Sequence, residues 1–170
     1  MQACKNITMI GMPGSGKSTY GVVLAKRLGY RFVDSDLLIQ EKYDKLLWQI
    51  IEEKGLDGFL EIEEEVNASI DGECTVIAPG GSVIYGRKAM EHFKSIGKVV
   101  YLKQSLSELK KSVGDLTTRG VAMKKGQTFD DLYDERTLLY EKYADIVIAC
   151  EGKSGREIVD EIYEAVKKEA

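Results

Sequence analysis

The chain has 170 residues, of which 44% are hydrophobic and 31% charged, enough to bury a real core in the ordinary globular balance. A net charge of −4 argues against a nucleic-acid module, which would present a basic face. No apolar run reaches membrane-spanning length and the first residues form no charged-then-apolar targeting segment, so the expectation is a cytoplasmic protein with no membrane partner, a monomer by default.

In chain order, the apolar run Ile7–Ile10 reads as a buried strand. It delivers Gly-Met-Pro-Gly-Ser-Gly-Lys-Ser-Thr at Gly11–Thr19, a complete G-x-x-x-x-G-K-[ST] loop. A helix is expected to leave that loop over Ser18–Leu28, where Val22, Val23, Leu24, Ala25 and Leu28 have helical spacing. Strand, loop and helix in this order make main-chain N–H groups converge on phosphates. Gly14, Ser15, Gly16, Lys17, Ser18 and Thr19 are the candidate ATP-binding residues. Lys17 supplies charge to the β- and γ-phosphates, and Ser18 supplies a hydroxyl to Mg²⁺.

A second strand, Arg31–Val33, is followed by Asp34-Ser35-Asp36. At the carboxyl edge of such a sheet, one carboxylate can serve the Mg²⁺ shell while the other accepts a hydrogen bond from a substrate hydroxyl. The alternative is an N-cap aspartate and a first-turn carboxylate of a following helix. Leu46–Ile70 reads as helical with a break near Gly55, and Thr75–Ala78 as a third strand. Pro79-Gly80-Gly81-Ser82 then offers bare backbone to a ligand, or simply turns from strand to helix.

Helices are expected over Gly86–Ser95, Ser105–Val113, Thr128–Tyr143 and Ser154–Lys168, with strands at Val99–Leu102 and Ile146–Ala149. Ser154 and Glu157 form a capping-box pattern. Between the helices Ser105–Val113 and Thr128–Tyr143, the stretch Gly114–Gln127 is polar, glycine-bearing and aperiodic, as expected of a lid. Arg119 lies in that lid and Arg136 in the helix after it, both candidates for charge on a transferring phosphoryl group or, alternatively, solvated side chains. The alternation predicts a three-layer, doubly wound α/β fold with a parallel sheet, and residues 1–170 read as one domain. Cys4, Cys74 and Cys150, scattered and odd in number, are expected to be reduced thiols. With His92 the only histidine, no zinc site is expected, and His92 is given no catalytic role.

Together these pieces resemble the shikimate kinase family of P-loop kinases over nearly the whole chain. The resemblance rests on the loop at Gly11–Thr19, Asp34/Asp36, Phe59 and Glu63 of a Phe-Arg-x-x-Glu motif, and Gly80-Gly81. It continues through the lid arginine Arg119 and the run Arg136, Tyr140, Ala144. It implies five strands in the order 2-3-1-4-5, and transfer of a phosphoryl group from ATP to a hydroxyl of shikimate with Mg²⁺. By the same resemblance Asp36 holds the acceptor hydroxyls, Asp34 lies in the magnesium shell with Ser18, and Arg136 holds the substrate carboxylate. Gly80 and Gly81 border the substrate, Arg119 spans lid and phosphates, and Lys17, Asp36 and Arg119 are the catalytic candidates.

Several positions depart from the family pattern. The arginine of Phe-Arg-x-x-Glu is Leu60, the third glycine of the Gly-Gly-Gly turn is Ser82, and the proline after the lid arginine is Gly120. Leu56 follows Gly55 where the family has glutamate, and Glu151–Ser154 contains no proline for the adenine. A charge-assisted hydrogen bond contributes about 1.5–3 kcal/mol, so losing one arginine weakens carboxylate binding about tenfold to more than a hundredfold. Three readings follow: a shikimate kinase in which another cation replaces the arginine, a related kinase of a different small alcohol or hydroxy acid, or a non-catalytic nucleotide-binding protein.

Overall fold

The computed structural model describes residues 4–168. Five strands, β1 (Asn6–Ile10), β2 (Arg31–Asp34), β3 (Thr75–Ala78), β4 (Gly97–Lys103) and β5 (Ile146–Ala149), form one sheet in the order β2-β3-β1-β4-β5. All pairings are parallel, with Ile7 opposite Val76 of β3 and Thr8 opposite Val99 of β4. This is the expected α/β architecture. β1 is central and every residue of it is buried, because helices cover both faces of the sheet. On the edge strand β5 burial alternates instead, leaving Val147 49% exposed.

The helices are α1 (Lys17–Leu28), α2 (Ser35–Tyr43), α3 (Leu47–Ala68), α4 (Arg87–Ile96), α5 (Leu106–Val113), α6 (Phe129–Tyr143) and α7 (Gly155–Lys168). The two-residue period of the strands divides the core. Ile7, Met9, Val76 and Val100 pack with Leu24 of α1 and Ile158 and Ile162 of α7. Ile10, Ile77, Val99 and Tyr101 pack with Met90 and Phe93 of α4 and Leu132 and Tyr140 of α6. A third cluster (Ile39, Leu47, Ile50, Phe59, Ile62 and Ala122) joins α2 and α3 to the lid.

The break expected near Gly55 is present: Gly55 has φ 73° and ψ 174° inside α3, separating two helical runs. Helix α2 has no counterpart among the expected helices, since its short run Leu37–Ile39 gives weak periodicity; Ile39 alone of the three is fully buried. The cysteine expectation is corrected. Cys4 and Cys74 are joined as a disulfide with Cα atoms 5.1 Å apart, although 70 residues separate them in sequence. The parallel pairing of β1 with β3 makes the entrances of those strands neighbours, which spacing alone does not reveal. Cys150 is free and buried, and desolvation pushes its thiol up to about 11. His92 Nε2 lies 2.6 Å from the Ile70 carbonyl oxygen, away from the site below.

Candidate active site

The loop after β1 sits where the chain's successive strands diverge to opposite sides of the sheet, the place where open α/β sheets bind ligands. Gly16 occupies the left-handed region (φ 93°, ψ 15°) and caps α1 from outside, so the helix starts at Lys17 with its first N–H groups directed at the loop. Lys17 arches back over the loop: its Nζ donates to the carbonyls of Gly11 (2.8 Å) and Met12 (2.9 Å). Burial of that ammonium pushes Lys17 down to about 8, with Asp36 and Asp34 opposing the fall and Arg136 and Arg119 adding to it.

Asp34 closes β2 and opens α2. Its Oδ1 accepts from the Asp36 main-chain N–H (3.0 Å), while its Oδ2 accepts from Ser18 Oγ (2.7 Å). The capping alternative therefore holds for Asp34 alongside its contact with the loop serine. Ser18 and Asp34 present hard oxygen donors side by side, a set suited to Mg²⁺, which takes few protein ligands and completes its shell with phosphate oxygens and water. Among the described residues no cluster of three His, Cys, Asp or Glu side chains could cage a metal.

Asp36, in the first turn of α2, lines the same cavity as Gly14, Gly16, Lys17, Ser18 and Thr19. Desolvation, then the neighbouring Asp34 carboxylate, pushes its carboxyl up to about 6. The far wall is built by α3 (Phe59 and Glu63), the turn after β3 (Gly80, Gly81 and Ser82), the lid (Arg119 to Ala122) and Arg136 of α6. A Cβ at Gly80 would stand 2.8 Å from Glu63 Oε2 and 2.9 Å from Asp36 Oδ1, so a side chain there would displace both carboxyl groups. The two carboxyl groups thus flank one stretch of bare backbone.

Arg136 is 1% exposed. Its Nη2 donates to the Ala122 carbonyl (2.7 Å), its guanidinium lies 5.4 Å from the Tyr85 ring centre, and its Nε has no protein partner. Tyr140, one turn further along α6, donates its hydroxyl to the Gly81 carbonyl (2.6 Å) and so fixes the glycine turn beneath Arg136. Arg119 Nη1 donates to the carbonyls of Val113 (2.8 Å) and Ser112 (3.2 Å) at the end of α5. Ser112 Oγ in turn donates to the Gly14 carbonyl (2.9 Å), tying that end of α5 to the phosphate loop.

Every sequence candidate except Ser15 and Asp34 lines this one cavity. Asp34 touches it through Ser18. The Ser15 side chain is buried beneath the loop, 1% exposed, and its N–H is already engaged by the Met12 carbonyl. Sequence reasoning missed Leu47, Pro13 and Val121 as walls, for which no local signal exists. It also left Glu63 without a partner. Ser82 Oγ donates to Glu63 Oε1 at 2.6 Å, while Oε2 has no protein partner. Glu63 is 2% exposed; desolvation pushes its carboxyl up to about 7, with the Ser82 hydrogen bond opposing that rise. Leu60 is half-buried against the α2–α3 cluster and off the cavity wall. The cationic side chains on that wall are Lys17, Arg119 and Arg136; among the described residues no further basic group replaces the missing arginine there.

A family model described as shikimate kinase matches residues 13–167. A shikimate kinase of Sulfurihydrogenibium sp. is 34% identical over 165 residues, covering 96% of this chain and 99% of the relative. The structure of shikimate kinase from Acinetobacter baumannii in complex with shikimate superposes with a TM-score of 0.88 at 29% identity, covering 98% of this chain and 94% of the other. That of shikimate kinase from Aquifex aeolicus gives 0.83 at 30% identity, covering 96% and 97%.

Proposed function

Because the chain belongs to the shikimate kinase family, we propose that it transfers the γ-phosphoryl group of ATP to a hydroxyl of shikimate, giving shikimate 3-phosphate and ADP. The observation that carries this reading is one continuous cavity joining the phosphate loop to Asp36 and Arg136. ATP lays its phosphates along Gly14–Thr19, with the Lys17 ammonium and the α1 N–H groups against their charge. When bound by Ser18 and Asp34, Mg²⁺ supplies neutralisation to the phosphate oxygens.

Arg136 pairs with the acceptor carboxylate, and Asp36 accepts a hydrogen bond from the attacking hydroxyl. That oxygen bonds to the γ-phosphorus in line as the bond to the β–γ bridging oxygen breaks, and ADP leaves with the electron pair. The hydroxyl proton passes to Asp36 and then to solvent. Phosphoryl transfer has a loose transition state, so positioning and charge neutralisation matter more than a strong base. A carboxyl poised near pH 6 is ionised at neutral pH and suits that role. Arg119 and closure of the lid over residues 114–127 add charge and exclude water. On this reading residues 1–170 act as one kinase domain, working as a cytoplasmic monomer; no helix among the described residues is long and apolar enough to cross a membrane.

Leu60 supports a second reading, in which the acceptor is a different small alcohol or hydroxy acid held by Arg136 as the single carboxylate-facing guanidinium. A coupled ADP-release assay with MgATP and shikimate separates the two. Saturable turnover supports shikimate; ATP turnover that appears only with another hydroxy acid or polyol supports the second reading.

A further inference from the structure

At Gly120, the residue directly after Arg119, the lid backbone comes close against the start of α3. A Cβ built there would stand 2.6 Å from Leu47 Cβ, 3.1 Å from the Trp48 main-chain nitrogen and 3.3 Å from the Leu47 carbonyl carbon. Two of these three atoms belong to the backbone of the first turn of α3, which cannot swing aside as a flexible side chain can. Gly120 also has φ +69°, a region that side chains other than glycine and asparagine enter at a cost. The lid backbone therefore lies directly on the start of α3.

The contact is supported on both sides along the chain. Asp115 Oδ1 accepts from the N–H groups of Thr117 (2.8 Å) and Thr118 (3.1 Å), and the Gly120 N–H donates to the Thr117 carbonyl (3.0 Å), so the approach to Gly120 is a built turn. Two residues on, the Ala122 carbonyl accepts from Arg136. Leu116, Val121 and Met123 face Trp48 and Ile51 across an apolar groove behind this contact. Arg119 sits between these fixed points, with its guanidinium against the end of α5 at the phosphate-loop side of the cavity.

We propose that Gly120 is a positioning residue for Arg119: its missing side chain lets the lid seat on Leu47–Trp48, and that seat sets where the Arg119 guanidinium stands over the phosphates. The proposal rests on the kinase reading above, in which Arg119 faces the transferring group. A side chain at Gly120 lifts the lid from α3 by an ångström or more. Misplacement of about 1 Å in a group that serves the transition state lowers turnover roughly a hundredfold.

Trp48 is the single tryptophan of the chain and forms the wall against which the lid sits, so its emission reports the seat without any assay of chemistry. The test compares the unmodified chain with Gly120→Ala and Gly120→Asn. Asparagine tolerates the positive φ but still carries a Cβ, which separates the contact from backbone strain. Each protein is measured for tryptophan emission, MgADP affinity, kcat and KM with shikimate, and melting by circular dichroism. The expected result is that both variants fold, Trp48 emission shifts to the red, kcat falls at least about tenfold and the KM for shikimate changes less. A folded variant with native emission and native kcat overturns the proposal. So does failure of both variants to fold, which would make Gly120 a residue of the fold. If the unmodified chain does not phosphorylate shikimate, the acceptor reading fails separately, and the emission shift with weakened MgADP binding still decides the seat.

Discussion

Ser18 Oγ donates to Asp34 Oδ2 at 2.7 Å while the other oxygen of the same carboxylate caps α2. One side chain thereby couples the start of α1, which carries the phosphate loop, to the start of α2, which carries Asp36. The two oxygens separate by substitution. Asp34→Asn keeps an oxygen to cap α2, so its melting temperature stays near native while the Mg²⁺ needed for half-maximal ADP release rises at least about tenfold. Asp34→Ala loses both contacts. Its missing cap costs about 1 kcal/mol, a drop of about 2–4 °C in melting temperature. Thermal melts and Mg²⁺ titrations of both variants check this, and an unchanged Mg²⁺ requirement in Asp34→Ala removes Asp34 from the metal site.

Lys17→Ala and Asp36→Ala are each expected to abolish turnover in the ADP-release assay with the fold intact. Removing either buried charge also removes its desolvation cost, so neither variant should melt far below the unmodified chain. Near-native turnover in a folded variant would refute the role assigned to that residue.

Leu60→Arg places a guanidinium one turn of α3 before Glu63, on a side chain long enough to reach from its packing site off the cavity wall toward the acceptor carboxylate beside Arg136. The KM for shikimate should fall about tenfold to a hundredfold, the worth of one charge-assisted hydrogen bond. If the unmodified chain shows negligible turnover of shikimate and Leu60→Arg restores it, the pocket was retuned at this position and the natural acceptor is another hydroxy acid. If neither protein turns over shikimate, the acceptor lies outside this chemistry and a screen of small alcohols follows.

The pH dependence of kcat/KM should be bell-shaped, because this quantity reports the free enzyme. Asp36 must be ionised to accept the hydroxyl's hydrogen bond, so the acid limb rises through about 6. Lys17 must be charged to face the phosphates, so the alkaline limb falls through about 8. Lys17→Arg should move the alkaline limb out of the range from pH 5 to 9 even where it lowers the plateau; an unmoved limb assigns it to another group.

Glu63 links pH to stability. Its folded-state carboxyl is pushed up from 4.5 to about 7, so between those values the folded chain holds a proton that the unfolded chain releases. The contribution is fully present below about 4.5 and is lost as pH rises through about 7, amounting to on the order of 3 kcal/mol. Asp36, raised to about 6, gives a slope of the same sign. Melts of the ligand-free chain should fall across this window, and Glu63→Gln should flatten the fall without erasing it. An equal slope in Glu63→Gln assigns the effect elsewhere.

The alternation of apolar runs made the strands and most helices legible, and Gly55 marked the α3 break because its conformation needs glycine. Strand order came from family resemblance, since parallel runs carry no mark of their neighbours. Helix α2 escaped because it buries little of its apolar run. The phosphate loop was readable as a contiguous motif whose geometry is local. The Glu63–Ser82 bond joins residues 19 apart and the disulfide joins residues 70 apart; such partners are chosen by the packed sheet, and no window of sequence contains both.

Three of the buried polar atoms without a protein partner, Asp36 Oδ1, Glu63 Oε2 and Arg136 Nε, belong to side chains that line the same cavity. Their unspent hydrogen-bonding valences place local frustration on the cavity wall, alongside that of Ser15, Ser35, Asn67 and Gln104, which stand off it. The cavity is thereby complementary to a small molecule rich in hydroxyls with an anionic end, and a purely apolar guest of equal size would leave each of these atoms stranded. Selectivity by unpaired polar atoms is far stronger than selectivity by volume, so the same atoms that the fold leaves without internal partners define which acceptors are refused.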